Sequence, residues 1–73
     1  MNDLQLLSKI GSNIRKFRAS KNLTQNGLAI ACNFEKASMS RIEAGKTNIT
    51  ILTLLKISDA LEVSIIDLLQ DRS

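Results

Sequence analysis

The sequence has no histidine, proline, tryptophan or tyrosine, one cysteine, and only three glycines in 73 residues. Each scarcity excludes something. A chain without proline and poor in glycine lacks the punctuation of a turn-rich β domain and suits helices. A single cysteine, Cys32, forbids an internal disulfide, and without histidine no zinc-ligand spacing can be drawn. No metal or other cofactor is expected. With Phe17 and Phe34 as the only aromatics, the core must be built from Ile, Leu, Val, Ala and Met. No apolar run approaches the ~20 residues that cross a bilayer, and the start lacks the basic-then-apolar order of a signal peptide. The chain reads as cytoplasmic, with no membrane partner.

The length allows one domain, residues 1–73, near the lower size limit for a fold with its own core. The net charge of +3 is modest, but its distribution is uneven. Lys9, Arg15, Lys16, Arg18, Lys21, Lys36, Arg41 and Lys46 face only Glu35 and Glu43 across residues 9–50. From residue 51 onward, Lys56 and Arg72 are outnumbered by Asp59, Glu62, Asp67 and Asp71. Such asymmetry suits a chain in which one part faces a polyanion and the other does not. An ordinary solvated surface would carry the same charges, so charge alone leaves the two readings even.

Periodicity and caps give five short helices. Leu4, Leu7, Gly11, Ile14 and Phe17 or Arg18 form one stripe of a helix over 4–20, ended by Asn22 in a left-handed conformation. Thr24 caps a second helix, 25–32, with Leu28, Ala29 and Cys32 inward and Asn33 as turn residue. The third, 36–44, turns Met39 and Ile42 inward and stops at Gly45. Thr50 caps a fourth, 51–61, with Ile51, Leu54, Leu55, Ile57 and Leu61 inward. Ser64 caps a fifth that ends near Leu69. Short connections and no strand signal predict a compact all-α domain.

The informative block is Leu23 to Gly45, a short helix, a tight turn and a second helix, each with a narrow apolar stripe. Both must lean on the other helices, which is the helix-turn-helix arrangement, about 24–44. On the third helix Lys36, Ala37, Ser40 and Arg41 share the side opposite Met39 and Ile42. That outward set is short, polar and basic. Arg and Lys donate to guanine O6 and N7, Ala fits a thymine methyl, and Ser bonds base or phosphate. Gln25 opens the second helix, where a phosphate is favoured, with Asn26 beside it. The polar loop Lys46-Thr47-Asn48 offers a second phosphate site through free backbone N–H groups.

These residues carry a resemblance over about Ile14 to Leu69. Leu23-Thr24-Gln25, Leu28-Ala29, Ser40-Arg41-Ile42-Glu43, Gly45-Lys46, Leu54-Leu55-Lys56-Ile57 and Ala60-Leu61-Glu62-Val63-Ser64 are similar to the phage-repressor and Cro-like helix-turn-helix family of bacterial and phage regulators, also called the xenobiotic-response-element family. The resemblance implies a five-helix, lambda-repressor-like fold and a transcriptional regulator that binds double-stranded operator DNA in the cytoplasm, at the nucleoid. By the same resemblance Gln25 grips phosphate, Lys36, Ala37 and Arg41 read bases, and Ser40 meets base or phosphate. Arg18 and Glu43 resemble a structural ion pair between the first helix and the recognition helix. The sequence departs from the family at Asn33, in place of the usual turn glycine, and at Glu35, a poor cap. It departs again at Asn26-Gly27, where acidic residues are usual, and at Ile30, Leu52 and Ile66, where polar ones are.

One recognition helix reads too few base pairs for specific regulation, and family members solve this with twofold symmetry and palindromic sites. A homodimer is therefore expected, with self-association in about 51–70 through Leu52, Val63, Ile65, Ile66 and Leu69. Ile65 and Leu69 equally suit closing the monomer core, which makes Ile66 the better interface residue.

A controller protein of a restriction–modification system fits the length, although Glu35-Lys36-Ala37-Ser38-Met39-Ser40 does not closely follow the controller pattern. A protein-interaction module on the same fold is the other reading, and the basic outward face argues against it. Catalysis is not expected. Cys32 falls on an inward face, no carboxylates pair at a useful spacing, and so small a domain has little room for a cleft. No small-molecule effector is expected either.

Overall fold

The computed structural model describes residues 2–70, which form α1 (Asp3–Ser20), α2 (Gln25–Ala31), α3 (Lys36–Glu43), α4 (Ile51–Leu61) and α5 (Ile65–Leu69), with no strand among the described residues. Four of the five helices start at a side-chain cap. The Thr24 hydroxyl accepts from the Gly27 N–H and the Thr50 hydroxyl from the Thr53 N–H. Asn2 with Gln5, and Ser64 with Asp67, form reciprocal capping boxes. The box at Asn2 starts α1 at Asp3, one residue before the apolar period begins. Only α3 lacks such help, because its N-cap Glu35 makes no side-chain cap hydrogen bond.

The helix ends are just as uniform. Asn22, Asn33, Gly45 and Glu62 each take positive φ, at 57°, 59°, 72° and 59°. After each, the next N–H reaches back five residues to a carbonyl: Leu23 to Arg18, Phe34 to Ala29, Lys46 to Arg41 and Val63 to Ser58, all within 2.8–3.1 Å. This is the Schellman stop, which satisfies carbonyls that a helix end leaves open. It leaves α2 and α3 one residue shorter than their apolar pattern, at Ala31 and Glu43. Three of the four left-handed positions carry Asn or Gly, as the sequence implies. Glu62 does not, and no residue-type rule would have marked it.

The long α1 lies against α3 and α5, α2 packs on α3 and α4, and α4 also touches α1 and α5. Ile10, Ile14, Leu28, Ala29, Cys32, Met39, Ile42, Leu54, Ile57, Leu61 and Leu68 form the buried core. On α4 two expected inward residues are exposed instead, Ile51 and Leu55. The buried stripe is Leu54, Ile57, Ser58 and Leu61, so Leu55 sits one residue, about 100° of helix, to the side. Ile51 lies at the first turn, beyond the edge of the core. Leu4 is likewise exposed at the start of α1, and Leu7 is half-buried.

Two small contacts close the domain. The buried Asn13 amide donates to the Leu68 carbonyl at 2.9 Å and the Gln70 carbonyl at 2.7 Å, tying the end of α5 to α1. The Cys32 thiol donates to the Lys56 carbonyl at 3.8 Å; burial raises its pKa and the Lys56 charge partly offsets that.

Gly11 sets the distance between α1 and α3. A Cβ built there would meet the Glu43 carbonyl oxygen at 2.3 Å and the Ile42 carbonyl oxygen at 2.8 Å, both of them backbone. Backbone cannot rotate away as a side chain can. Gly11→Ala is therefore expected to destabilise the domain by about 1–3 kcal/mol, the usual range for overpacking. Urea unfolding followed by circular dichroism measures this, and an unchanged midpoint would refute the close approach.

Candidate nucleic-acid interface

The turn between α2 and α3 is held from both sides. The Asn33 N–H donates to Ile30 and the Phe34 N–H to Ala29, at 3.0 and 2.8 Å. The half-buried Phe34 ring packs against the core, and the Lys56 ammonium of α4 stands 5.8 Å from its centroid. That is within cation–π range. From this turn α3 starts with Met39, Ile42 and Glu43 buried.

The opposite side of α3 is open. Lys36, Ala37, Ser40 and Arg41 are all exposed. Arg41 reaches back along its own helix to the Ser38 hydroxyl, at 3.4 Å. Asn26, Lys46 and Asn48 are exposed, whereas Gln25 and Thr47 are half-buried. Arg41, Ser38, Thr47 and Asn48 share the rim of a shallow depression of about 270 Å³ between α3 and the start of α4, floored by Phe34, Ile42 and Ile49. The loop after α3 differs from the expectation in one respect. The Lys46 N–H is already bonded to the Arg41 carbonyl, so it is not free for an anion. What Lys46 presents to solvent is its ammonium.

Glu43, last residue of α3, is 2 % exposed. The Arg18 guanidinium of α1 meets it with two N–H groups, Nε to Oε2 and Nη2 to Oε1, both at 2.9 Å. Arg18 Nη1 also donates to the Leu23 carbonyl at 3.0 Å. The ion pair expected between these residues is thus present and bidentate. Composition did not reveal its third member: the Gln25 amide donates through Nε2 to Glu43 Oε1 at 3.2 Å. Eighteen positions separate Gln25 from Glu43, and no local spacing connects them.

The five residues expected at an interface between copies divide into two groups. Leu52, Ile66 and Leu69 are exposed, whereas Val63 and Ile65 are half-buried against the core. Ile51 and Leu55, expected inward, join the exposed group. Leu69 does not close the core as it was equally expected to; the fully buried residue of α5 is Leu68.

Among the described residues no group of three His, Cys, Asp or Glu side chains could hold a metal ion, and no helix is long and apolar enough to cross a membrane. A sequence model of the helix-turn-helix family matches residues 14–68, which spans α2, the turn and α3 with the supporting helices around them. The chain belongs to the helix-turn-helix family.

The regulator is 36% identical over 59 residues, 81% of this chain and 77% of the other, to the HTH-type transcriptional regulator y4dJ of Sinorhizobium fredii. It is 39% identical over 69 residues, 93% and 83% of the two chains, to the control protein C.BamHI of Bacillus amyloliquefaciens. The crystal structure of the restriction-modification controller protein C.AhdI from Aeromonas hydrophila superposes with a TM-score of 0.82 at 29% identity, covering 85% of this chain and 94% of that one. By name these relatives are a transcriptional regulator, a control protein and a restriction-modification controller protein. DNA binding and transcription regulation come with membership, as the phage-repressor-like resemblance implied.

Removing Arg18 leaves a buried carboxylate without its charge partner. Arg18→Ala is expected to cost about 3 kcal/mol or more, whereas Arg18→Met with Glu43→Leu, which removes both charges, costs much less. Thermal denaturation of the two variants separates them, and equal losses would contradict a dominant desolvation effect.

Proposed function

We propose that the regulator binds a palindromic or pseudopalindromic operator as a homodimer, with α3 in the major groove of each half-site. One observation carries this reading: Lys36, Ala37, Ser40 and Arg41 are all exposed on one face of a helix whose other face is buried. A helix that fits the groove needs a narrow, polar, basic outer face of that kind. Lys36, Ala37, Ser40 and Arg41 read base edges. Gln25 and Asn26 on one side, and Lys46, Thr47 and Asn48 on the other, hold the phosphate backbone and fix the register. The protein acts in the cytoplasm at the nucleoid, without cofactor or small-molecule effector.

Exposed Leu52, Ile66 and Leu69, with Ile51 and Leu55, form the contact between copies. Val63 and Ile65 support it from beneath rather than entering it. The names of C.BamHI and C.AhdI favour one subtype, a controller protein of a restriction–modification system, and the likeness to C.BamHI covers 93% of this chain. The departure of the 35–40 segment from the controller pattern then reflects a different operator, because those positions lie on the reading face.

Selection from a random duplex pool is expected to enrich a site with twofold symmetry. Against that site Arg41→Ala loses about 1–3 kcal/mol of discrimination at one position per half-site. Lys46→Ala weakens binding to all sequences and lowers the salt slope by about 0.9 per protomer. Electrophoretic shift titrations over a range of salt measure both, and unchanged specificity in Arg41→Ala would overturn the groove assignment.

The contact between copies has its own test. Leu52→Asp and Ile66→Asp are each expected to convert the dimer to monomer in sedimentation equilibrium while leaving the helical circular dichroism spectrum intact. A wild-type protein that stays monomeric at high micromolar concentration would remove the homodimer from the proposal.

A further inference from the structure

We infer that Glu43 is a positioning residue for DNA binding: it fixes the sense of the Gln25 amide so that nitrogen, not oxygen, meets the phosphate. The inference rests on the reading above that Gln25 grips the backbone. The geometry behind it is the shared oxygen. Glu43 Oε1 accepts from Arg18 Nη2 at 2.9 Å and from Gln25 Nε2 at 3.2 Å, while Oε2 is taken by Arg18 Nε at 2.9 Å. The carboxylate is buried and the Arg18 side chain is 19% exposed, so the pair is a fixed post rather than a surface contact.

An amide group has two nearly isosteric ends. An isolated glutamine at a helix start can turn either end outward, and half of those arrangements would aim a carbonyl oxygen at a phosphate oxygen. An ionised carboxylate only accepts, so the end beside Glu43 must be the NH2. One N–H is then used on Glu43. The second is held in the same plane and directed away from the carboxylate, available to an anion. Glu43 thus orders Gln25 before DNA arrives, which lowers the entropy lost on binding. Arg18 keeps the carboxylate in place and cancels its charge, so that a buried anion close to the DNA backbone does not repel it.

The sign of the effect separates this from a merely structural role. Glu43→Gln removes a negative charge near DNA, so electrostatics alone would leave affinity unchanged or raise it. Positioning predicts the reverse. Glu43→Gln should weaken operator binding about 2- to 10-fold, the range for one side chain no longer held in place. That loss should appear in the Gln25 protein and vanish in the Gln25→Ala background. Titrations of the four proteins are made at a temperature where circular dichroism shows each to be folded. Equal losses in both backgrounds, or tighter binding by Glu43→Gln, would overturn the inference while leaving the Gln25 phosphate contact standing. A Gln25→Ala protein with unchanged affinity would remove that contact and the inference with it.

A measurement on the wild-type protein does not depend on the variants folding. Side-chain 15N relaxation of free protein should give the Gln25 amide an order parameter near that of rigid backbone, about 0.85; a value below about 0.6 would overturn the inference.

Discussion

Glu43 ends α3, and its carboxylate is withdrawn from water with two guanidinium N–H groups of Arg18 against it. An ionised carboxylate buried alone would cost several kcal/mol, so the pair must form as the domain closes. Its formation joins α1 to the C-terminal end of α3. The same guanidinium also holds the Leu23 carbonyl, just before α2 begins. One side chain therefore fixes three segments relative to one another, and α3 can present a polar face outward only because this end is anchored inward.

The anchoring depends on close backbone approach. Gly11 lets α1 lie directly on the last turn of α3, and Gly45 takes a left-handed conformation with its α-carbon close to Ser8. At the other end of α3 nothing in the cap helps, since Glu35 makes no cap hydrogen bond. The Phe34 ring, the Schellman stop of α2 and the Lys56 ammonium set the start of α3 instead. Lys56 belongs to α4, which also carries exposed Leu52 and Leu55. The helix proposed to meet a second copy is thus in direct contact with the turn before α3, the helix proposed to read bases.

Most of the architecture can be read from the sequence because it is local. Caps at Thr24, Thr50 and Ser64, stops at Asn22, Asn33 and Gly45, and stripes such as Leu28-Ala29-Cys32 are all properties of a few neighbouring residues. The outward set Lys36, Ala37, Ser40 and Arg41 follows from helical geometry once Met39 and Ile42 are known to be inward. The left-handed turn at Glu62 was not legible, because residue preference does not mark glutamate for positive φ.

What only the tertiary structure decided is which apolar residues are spare and which polar ones meet. Ile51 and Leu55 fit an inward stripe by period, yet the core has room for one stripe, and Leu54, Ile57, Ser58 and Leu61 occupy it. Val63 looks free by sequence and is in fact packed. The Gln25–Glu43 hydrogen bond joins residues 18 positions apart, across the corner between α2 and α3. Periodicity reports which way a side chain leaves its own helix. It carries no information about where the neighbouring helix stands, and that distance, set here by Gly11 and the Arg18–Glu43 pair, determines both the free apolar surface and the polar network behind the exposed face of α3.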